Sequence, residues 1–150
     1  MKRAFAGYGG LVKILLATTS VHVTKLATRF IETVCGDASK FHVFVVSVFP
    51  SVFSAASTLA QSSSAGEDIR REYAECLREA EKEFNSMGAK VETHLLEGIP
   101  STEILSFAEK EKVDLILIGG EARRTWEKFI VGSVGDQVIK NAKVPVVVLH

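Results

Sequence analysis

The sequence predicts an α/β fold: a doubly wound open parallel sheet of five strands, order 3-2-1-4-5, with helices on both faces, Rossmann-like in layout. Three observations predict it. Apolar runs rich in β-branched residues alternate along the chain with segments of helical periodicity. The strongest of these runs, at 13–19, 42–49 and 113–118, are nearly continuous in apolar residues, the pattern of strands covered on both faces. Right-handed crossovers between successive parallel strands then lead to a doubly wound sheet.

Each element has its own signature. Lys13–Thr19 reads as a buried strand ending in hydroxyls, and Ser20 is placed to cap the helix after it. Val23, Leu26, Ala27, Phe30, Ile31 and Val34 recur at helical spacing, with Gly36 as the stop. His42–Phe49 is the second strand, closed by Pro50. Residues 51–66 are rich in Ser and Ala without periodicity and read as a long mobile connection. Ile69, Tyr73, Leu77, Ala80, Phe84 and Met87 mark the inner face of a long charged helix that ends near Gly88. Val91–Leu96 alternates and reads as a strand at or near an edge, and Pro100 opens a short helix. Val113–Ile118 is a buried strand followed directly by Gly119–Gly120. Gly132–Ser133 introduces a helix carrying Val134, Val138 and Ile139, and Val144–Leu149 is the last strand, with Pro145 at its beginning.

The 150 residues form a single domain, 1–150, with 1–12 as a flexible lead-in. Formal net charge is zero, with 18 basic and 18 acidic residues, so no polybasic surface is available for nucleic acid or anionic lipid. Cys35 and Cys76 lack metal-ligand spacing and read as buried thiols of a reducing cytoplasm. No run of eighteen apolar residues exists to span a membrane, and the start lacks the apolar segment of a secretory signal.

In such sheets ligands sit beyond the carboxyl ends of the strands, where the winding reverses. The order 3-2-1-4-5 brings together Ala17–Thr18–Thr19 after the first strand and Gly119–Gly120 after the fourth. The two glycines permit close approach of a ligand and positive φ, or else serve only a tight exit turn. Ser133 with Asp136 three residues on has capping-box spacing. The same helix start offers free N–H groups and a positive dipole end to a phosphate. Arg123, Arg124 and Lys128 lie in the intervening loop, where they either meet phosphates or are simply solvated.

The C-terminal third resembles the universal stress protein family. The family pattern G-2x-G-9x-G-(S/T) follows the fourth strand; here Gly119–Gly120–Glu121–Ala122, then nine residues, then Gly132–Ser133–Val134 reproduce its spacing, with Ala122 for the second glycine. Gly98, Pro100, Ile104 and Ala108, the run Val113–Gly119, and the finish Ala142–Val148 are similar to the family too; Lys13–Leu16 matches more loosely. The resemblance implies a cytoplasmic stress-response module, homodimeric through the last strand, with an unidentified protein partner. In one branch it implies ATP or a related adenine nucleotide, with Mg. Carried over, Gly119, Gly132, Ser133 and Val134 would hold ribose and phosphates, with Gly120, Ala122 and Arg123 as further binding candidates in the same segment. Ala17, Thr18 and Thr19 would lie beside the adenosine, and Val48 and Ile118 would line the base.

The chain departs from the family pattern at two of these positions. ATP-binding members usually carry an aspartate where this chain has Thr19, and a hydroxyl offers one weaker bond in place of a carboxylate. Ala122 adds a methyl where backbone would approach phosphate. No P-loop and no G-x-S-x-G elbow is present, and Gly7–Gly10 precedes the first strand instead of following it. The four histidines are scattered and no acid pair stands at working spacing. The expectation is a nucleotide-binding regulatory dimer that is not an enzyme beyond weak ATP hydrolysis. The alternatives are an interaction dimer without nucleotide and a weak ATP hydrolase.

Overall fold

The computed structural model describes residues 10–51, 64–120 and 134–150. Its strands are β1 (Val12–Ala17), β2 (Phe41–Pro50), β3 (Lys90–Gly98), β4 (Leu115–Gly119) and β5 (Val146–Leu149). Its helices are α1 (Val21–Phe30), α2 (Ser64–Ser86), α3 (Pro100–Glu111) and α4 (Val134–Asn141). Every adjacent strand pair is parallel, and the order is β3-β2-β1-β4-β5, as the alternation of elements predicts.

Side-chain alternation along the strands divides the core into two layers. Ile14, Leu16, Val43, Val45 and Leu117 face Val23 and Ala27 of α1 and Leu77, Ala80 and Phe84 of α2. Leu15, Phe44, Val46, Ile116 and Ile118 face Ile104, Phe107 and Ala108 of α3 and Val138 of α4. Both faces are therefore dry, which is why residues 41–49 of β2 are all buried and the run lacks polar alternation. Fully burying one such side chain stabilises by about 1.5–3 kcal/mol, so the central strands are the best-anchored part of the chain.

Local signals set most boundaries. Ser20 caps α1, its Oγ accepting from the His22 N–H at 3.2 Å. The helix continues into a π-turn at Ile31–Cys35 and stops at Gly36, whose φ of 82° is left-handed. Pro100 sits in the first turn of α3, where its missing N–H costs no bond. β3 lies at a sheet edge and is mostly half-buried, as its weaker pattern predicts.

Several boundaries differ from the sequence reading. β1 begins at Val12, inside the expected lead-in, and ends at Ala17, leaving Thr18 and Thr19 in the turn to α1. Residues 1–9 of that lead-in lie outside the described residues. The mobile connection assigned to 51–66 is shorter at its end, because α2 starts at Ser64; 52–63 lie outside the described residues. Val113 and Asp114 precede β4, with the Asp114 N–H donating to the Lys13 carbonyl at 2.7 Å and its carboxylate accepting from the Lys13 N–H at 2.9 Å. β5 starts at Val146, after Pro145, whose carbonyl accepts from the Ile116 N–H at 3.0 Å.

The end of α3 carries a conformational conflict that the sequence does not signal. Lys112 takes φ 53° and ψ 54°, the left-handed position that glycine usually occupies after a helix. Left-handed backbone costs an L-residue about 1–2 kcal/mol, while glycine brings an entropy penalty of about 0.5–1 kcal/mol. Lys112→Gly is therefore expected to stabilise the protein by about 0.5–1 kcal/mol, raising Tm by about 1–4 °C in a thermal melt. An unchanged or lower Tm would mean the lysine is not strained there.

Candidate functional site at the carboxyl edge of the sheet

The register assembles the site. Ala17, the last residue of β1, pairs with Val46 on one side and Ile118 on the other, and Ile118 pairs with Val148. These four residues form one row on the α3/α4 face. Val48, paired with Leu96, stands one step further along β2 on the same face, past the end of β1. The Thr18 N–H donates to the Val46 carbonyl at 3.0 Å. Strand alternation then turns the N–H and C=O of Val48 to that same side, above the β1 terminus. The result is an apolar shelf floored by Ala17, Val48 and Ile118, with backbone polar groups along its rim. Val48 and Ile118 are almost wholly buried, so they supply a floor and not a wall.

The two threonines behave differently. Thr18 is buried and occupied with the β1–α1 turn: its hydroxyl donates to the Ser20 carbonyl and accepts from the Ser20 N–H, each at 3.0 Å. Its carbonyl accepts from Ser47 Oγ at 2.5 Å. Thr19 is exposed and turns to the other face, where it lies beside Tyr73 of α2 at the rim of a groove between α1 and α2. Burial, followed by the nearby Glu72 carboxylate, pushes the Tyr73 phenol up, so it stays protonated. Thr18 lies beside the shelf with its bonds committed locally; Thr19 faces the groove between α1 and α2, away from the shelf.

The glycines have a role different from the one the sequence suggests. Neither Gly119 nor Gly120 takes positive φ. A Cβ on Gly119 would stand 2.5 Å from Val23 Cγ2 of α1. On Gly120 it would meet Val148 Cγ1 at 2.7 Å and His150 Nδ1 at 3.0 Å. Both positions exclude a side chain because the protein's own elements fill that space. Sequence reasoning missed Gly135, whose ideal Cβ lies 3.4 Å from Ile118 Cδ1 and which seats the first turn of α4 close to the shelf. A glycine inside the first turn of a helix pattern is the signal that points to it. Ser47 and Tyr73 gave no signal, since each sits in an apolar pattern that accounts for it.

Ala122, Arg123, Gly132 and Ser133 lie outside the described residues. So do Arg124, Lys128 and the predicted Ser133 cap. Val134 is the first residue of α4 and is exposed, and Asp136 is in its first turn. The groove of about 740 Å³ lies elsewhere, between the start of α1 and α2. Asp68, Glu72 and Glu75 line it against Arg71, a field that disfavours anions. Cys76 is buried beside this groove and Cys35 half-buried; burial raises both thiols, keeping them protonated. Among the described residues no cluster of His, Cys, Asp or Glu is arranged to hold a metal ion, and no helix is long and apolar enough to cross a membrane.

A doubly wound parallel sheet of order 3-2-1-4-5 with helices on both faces defines a Rossmann-like α/β domain. The Universal stress protein family model matches residues 11–150, and the chain belongs to this family. It is 37% identical over 128 residues to universal stress protein MJ0531 of Methanocaldococcus jannaschii, covering 85% of this chain and 71% of that protein. Its fold superposes on the solved structure of protein MJ0577 with a TM-score of 0.69 and 26% identity, covering 92% of this chain and 94% of that one. A universal stress protein from Archaeoglobus fulgidus, solved in complex with dAMP, superposes with a TM-score of 0.62 at 23% identity, covering 93% of this chain and 98% of that one.

Gly119→Ala is expected to destabilise the protein by about 1–3 kcal/mol in chemical denaturation, through overpacking against Val23. The same change made in a Val23→Ala background should cost clearly less, because the obstructing methyls are gone. Strictly additive costs would show that Gly119 is needed for something other than α1 packing.

Proposed function

We propose that this chain is a stress-response regulatory module that binds ATP or a related adenine nucleotide and acts as a cytoplasmic homodimer joined through β5. The observation that carries the reading is the convergence of Ala17, Val48 and Ile118 on one face at the carboxyl edge. An apolar floor with a rim of strand N–H and C=O groups suits a purine, which offers a flat π-face and a polar edge. The complex of the Archaeoglobus fulgidus relative with dAMP supports the adenine class. On this reading Gly119, Gly120, Ala122, Arg123, Gly132, Ser133 and Val134 take ribose and phosphates. The start of α4 supplies its dipole, and Mg accompanies the triphosphate. Ala17, Val48 and Ile118 suit the base; Thr19 offers no carboxylate to it and lines a groove on the other face. We assign the chain no enzyme activity beyond slow ATP hydrolysis.

A second reading, an interaction dimer without nucleotide, is favoured by the local commitments of Thr18, Gly119 and Gly120 to the protein's own packing. Calorimetric titration with Mg-ATP and with dAMP separates the two. Binding at a ligand concentration a hundredfold above Kd stabilises the fold by about 2.7 kcal/mol, which raises Tm by about 5–11 °C. The Gly132→Ala, Ser133→Ala double variant should lose this rise while still folding cooperatively without ligand, at a melting temperature lowered at most by the loss of one helix cap. Absence of heat and of any Tm rise in the wild type would leave the second reading. Phosphate release that persists in the double variant would mark a contaminant and not this chain.

For assembly, sedimentation at micromolar concentration should return twice the 16.3 kDa chain mass. A single-chain mass would overturn the dimer in both readings.

A further inference from the structure

At the opposite end of the α3 face, far along the strands from the shelf, lies a histidine the site does not use. His42 of β2 is 7% exposed, and its ring stacks on Phe44 with centroids 4.2 Å apart. On β3, Glu92 brings Oε1 to 2.8 Å from His42 Nε2, and its Oε2 lies 3.8 Å from Nε2 of His94. Both Nε2 atoms are buried, and neither makes an aligned hydrogen bond. The His94 ring packs on Phe107 of α3 at 4.8 Å, and Phe107 packs edge-on against Phe44 at 5.6 Å. The imidazoles and phenyl rings thus form a continuous contact between β2, edge strand β3 and α3.

Cations flank His42 on both neighbouring strands. Its register partners are Lys13 of β1 and Lys90 of β3. The Lys13 ammonium donates to the Glu111 carbonyl at the end of α3 at 3.0 Å, and the Lys90 ammonium lies 3.8 Å from Glu92 Oε1. Glu92 is the anion facing His42, is 43% exposed on its side chain, and is shared with Lys90 and His94.

We propose that His42 is an acid-sensitive latch: neutral, it holds edge strand β3 and α3 on the sheet, and on protonation it loosens them. The proton would enter a buried aromatic site between two ammonium groups, with one half-exposed, already shared carboxylate to offset it. Burial, then Lys90, lowers the proton affinity of His42 below its ordinary value of 6.5, and Glu92 compensates only in part. The sign follows from linkage. A group whose pKa is depressed in the closed state binds its proton more readily when β3 opens. Closure is therefore complete above the ordinary histidine value and weakens as pH falls below it. Because β3 is a terminal strand with one neighbour, local opening there does not require the sheet to come apart.

Peptide-resolved hydrogen exchange at pH 7.5 and 5.5, corrected for the intrinsic pH dependence of exchange, tests the latch. Exchange of β3 and α3 relative to β4 should rise severalfold at pH 5.5, within the bound of about tenfold per pH unit that one proton sets. His42→Phe keeps a ring in the stack and removes the proton, and should abolish the rise. Glu92→Gln, altered at a half-exposed position, removes the compensating carboxylate and should enlarge it, so the latch stays testable if His42→Phe fails to fold. A β3-to-β4 ratio that does not change with pH would overturn the latch. So would a response that survives His42→Phe, one that Glu92→Gln leaves equal or smaller, or one of equal size in β4, which is global unfolding.

Discussion

The constraint on which this structure depends is that the three central strands are buried on both faces. A parallel strand cannot return to its neighbour by a hairpin, so each connection crosses the sheet and lays a helix on one side or the other. With α1 and α2 on one face and α3 and α4 on the other, β1, β2 and β4 have no wet side. A one-residue slip would exchange the layers and drive each side chain into the wrong helix surface, so the register is firmly held. Everything at the carboxyl edge inherits its position from that register. Ala17, Ile118 and Val48 share a face because Ala17 lies opposite Ile118 and Val46, and for no reason local to themselves.

The same tight construction gives the strand-end glycines a packing role. A glycine at a strand end invites the idea of a ligand approaching backbone. In this chain Gly119 is short of a side chain because Val23 occupies the place, and Gly120 because Val148 and His150 do. These contacts hold α1 and the last residues of the chain against β4, so the site's frame and the fold's packing are one set of interactions. Membership of the universal stress protein family fits this picture, since the family match runs across the sheet from residue 11 to residue 150 and not over the glycine segment alone.

Legibility followed the range of the forces involved. The strands and helices were readable because burial imprints period on the chain: continuous apolar runs at β2 and β4, a helical face from Ile69 to Met87. Caps were readable where one side chain bonds its own backbone, as Ser20 does. The strand order was an inference from the alternation of elements, which crossover handedness narrows without fixing. The left-handed Lys112 was not readable, because sequence preference at that place points to glycine and only the α3–β4 connection forces the conformation. Nor was the His42–Glu92–His94 row, whose members are fifty and fifty-two residues apart and meet only through the β2–β3 register.

For the site, the sequence alone determined which segments flank it, since strand ends and glycines are local features and the switch point follows from order. Its resemblance to the universal stress proteins pointed to Ala17, Val48 and Ile118 as the apolar residues beside the base. Tertiary structure decided what each polar group does. Thr18 bonds the turn, Thr19 turns to the groove between α1 and α2, and the two glycines yield to neighbours from α1 and the chain's end. The physical reason is that a hydrogen bond or a steric limit has two partners. The sequence names one of them, and only packing brings the other within reach.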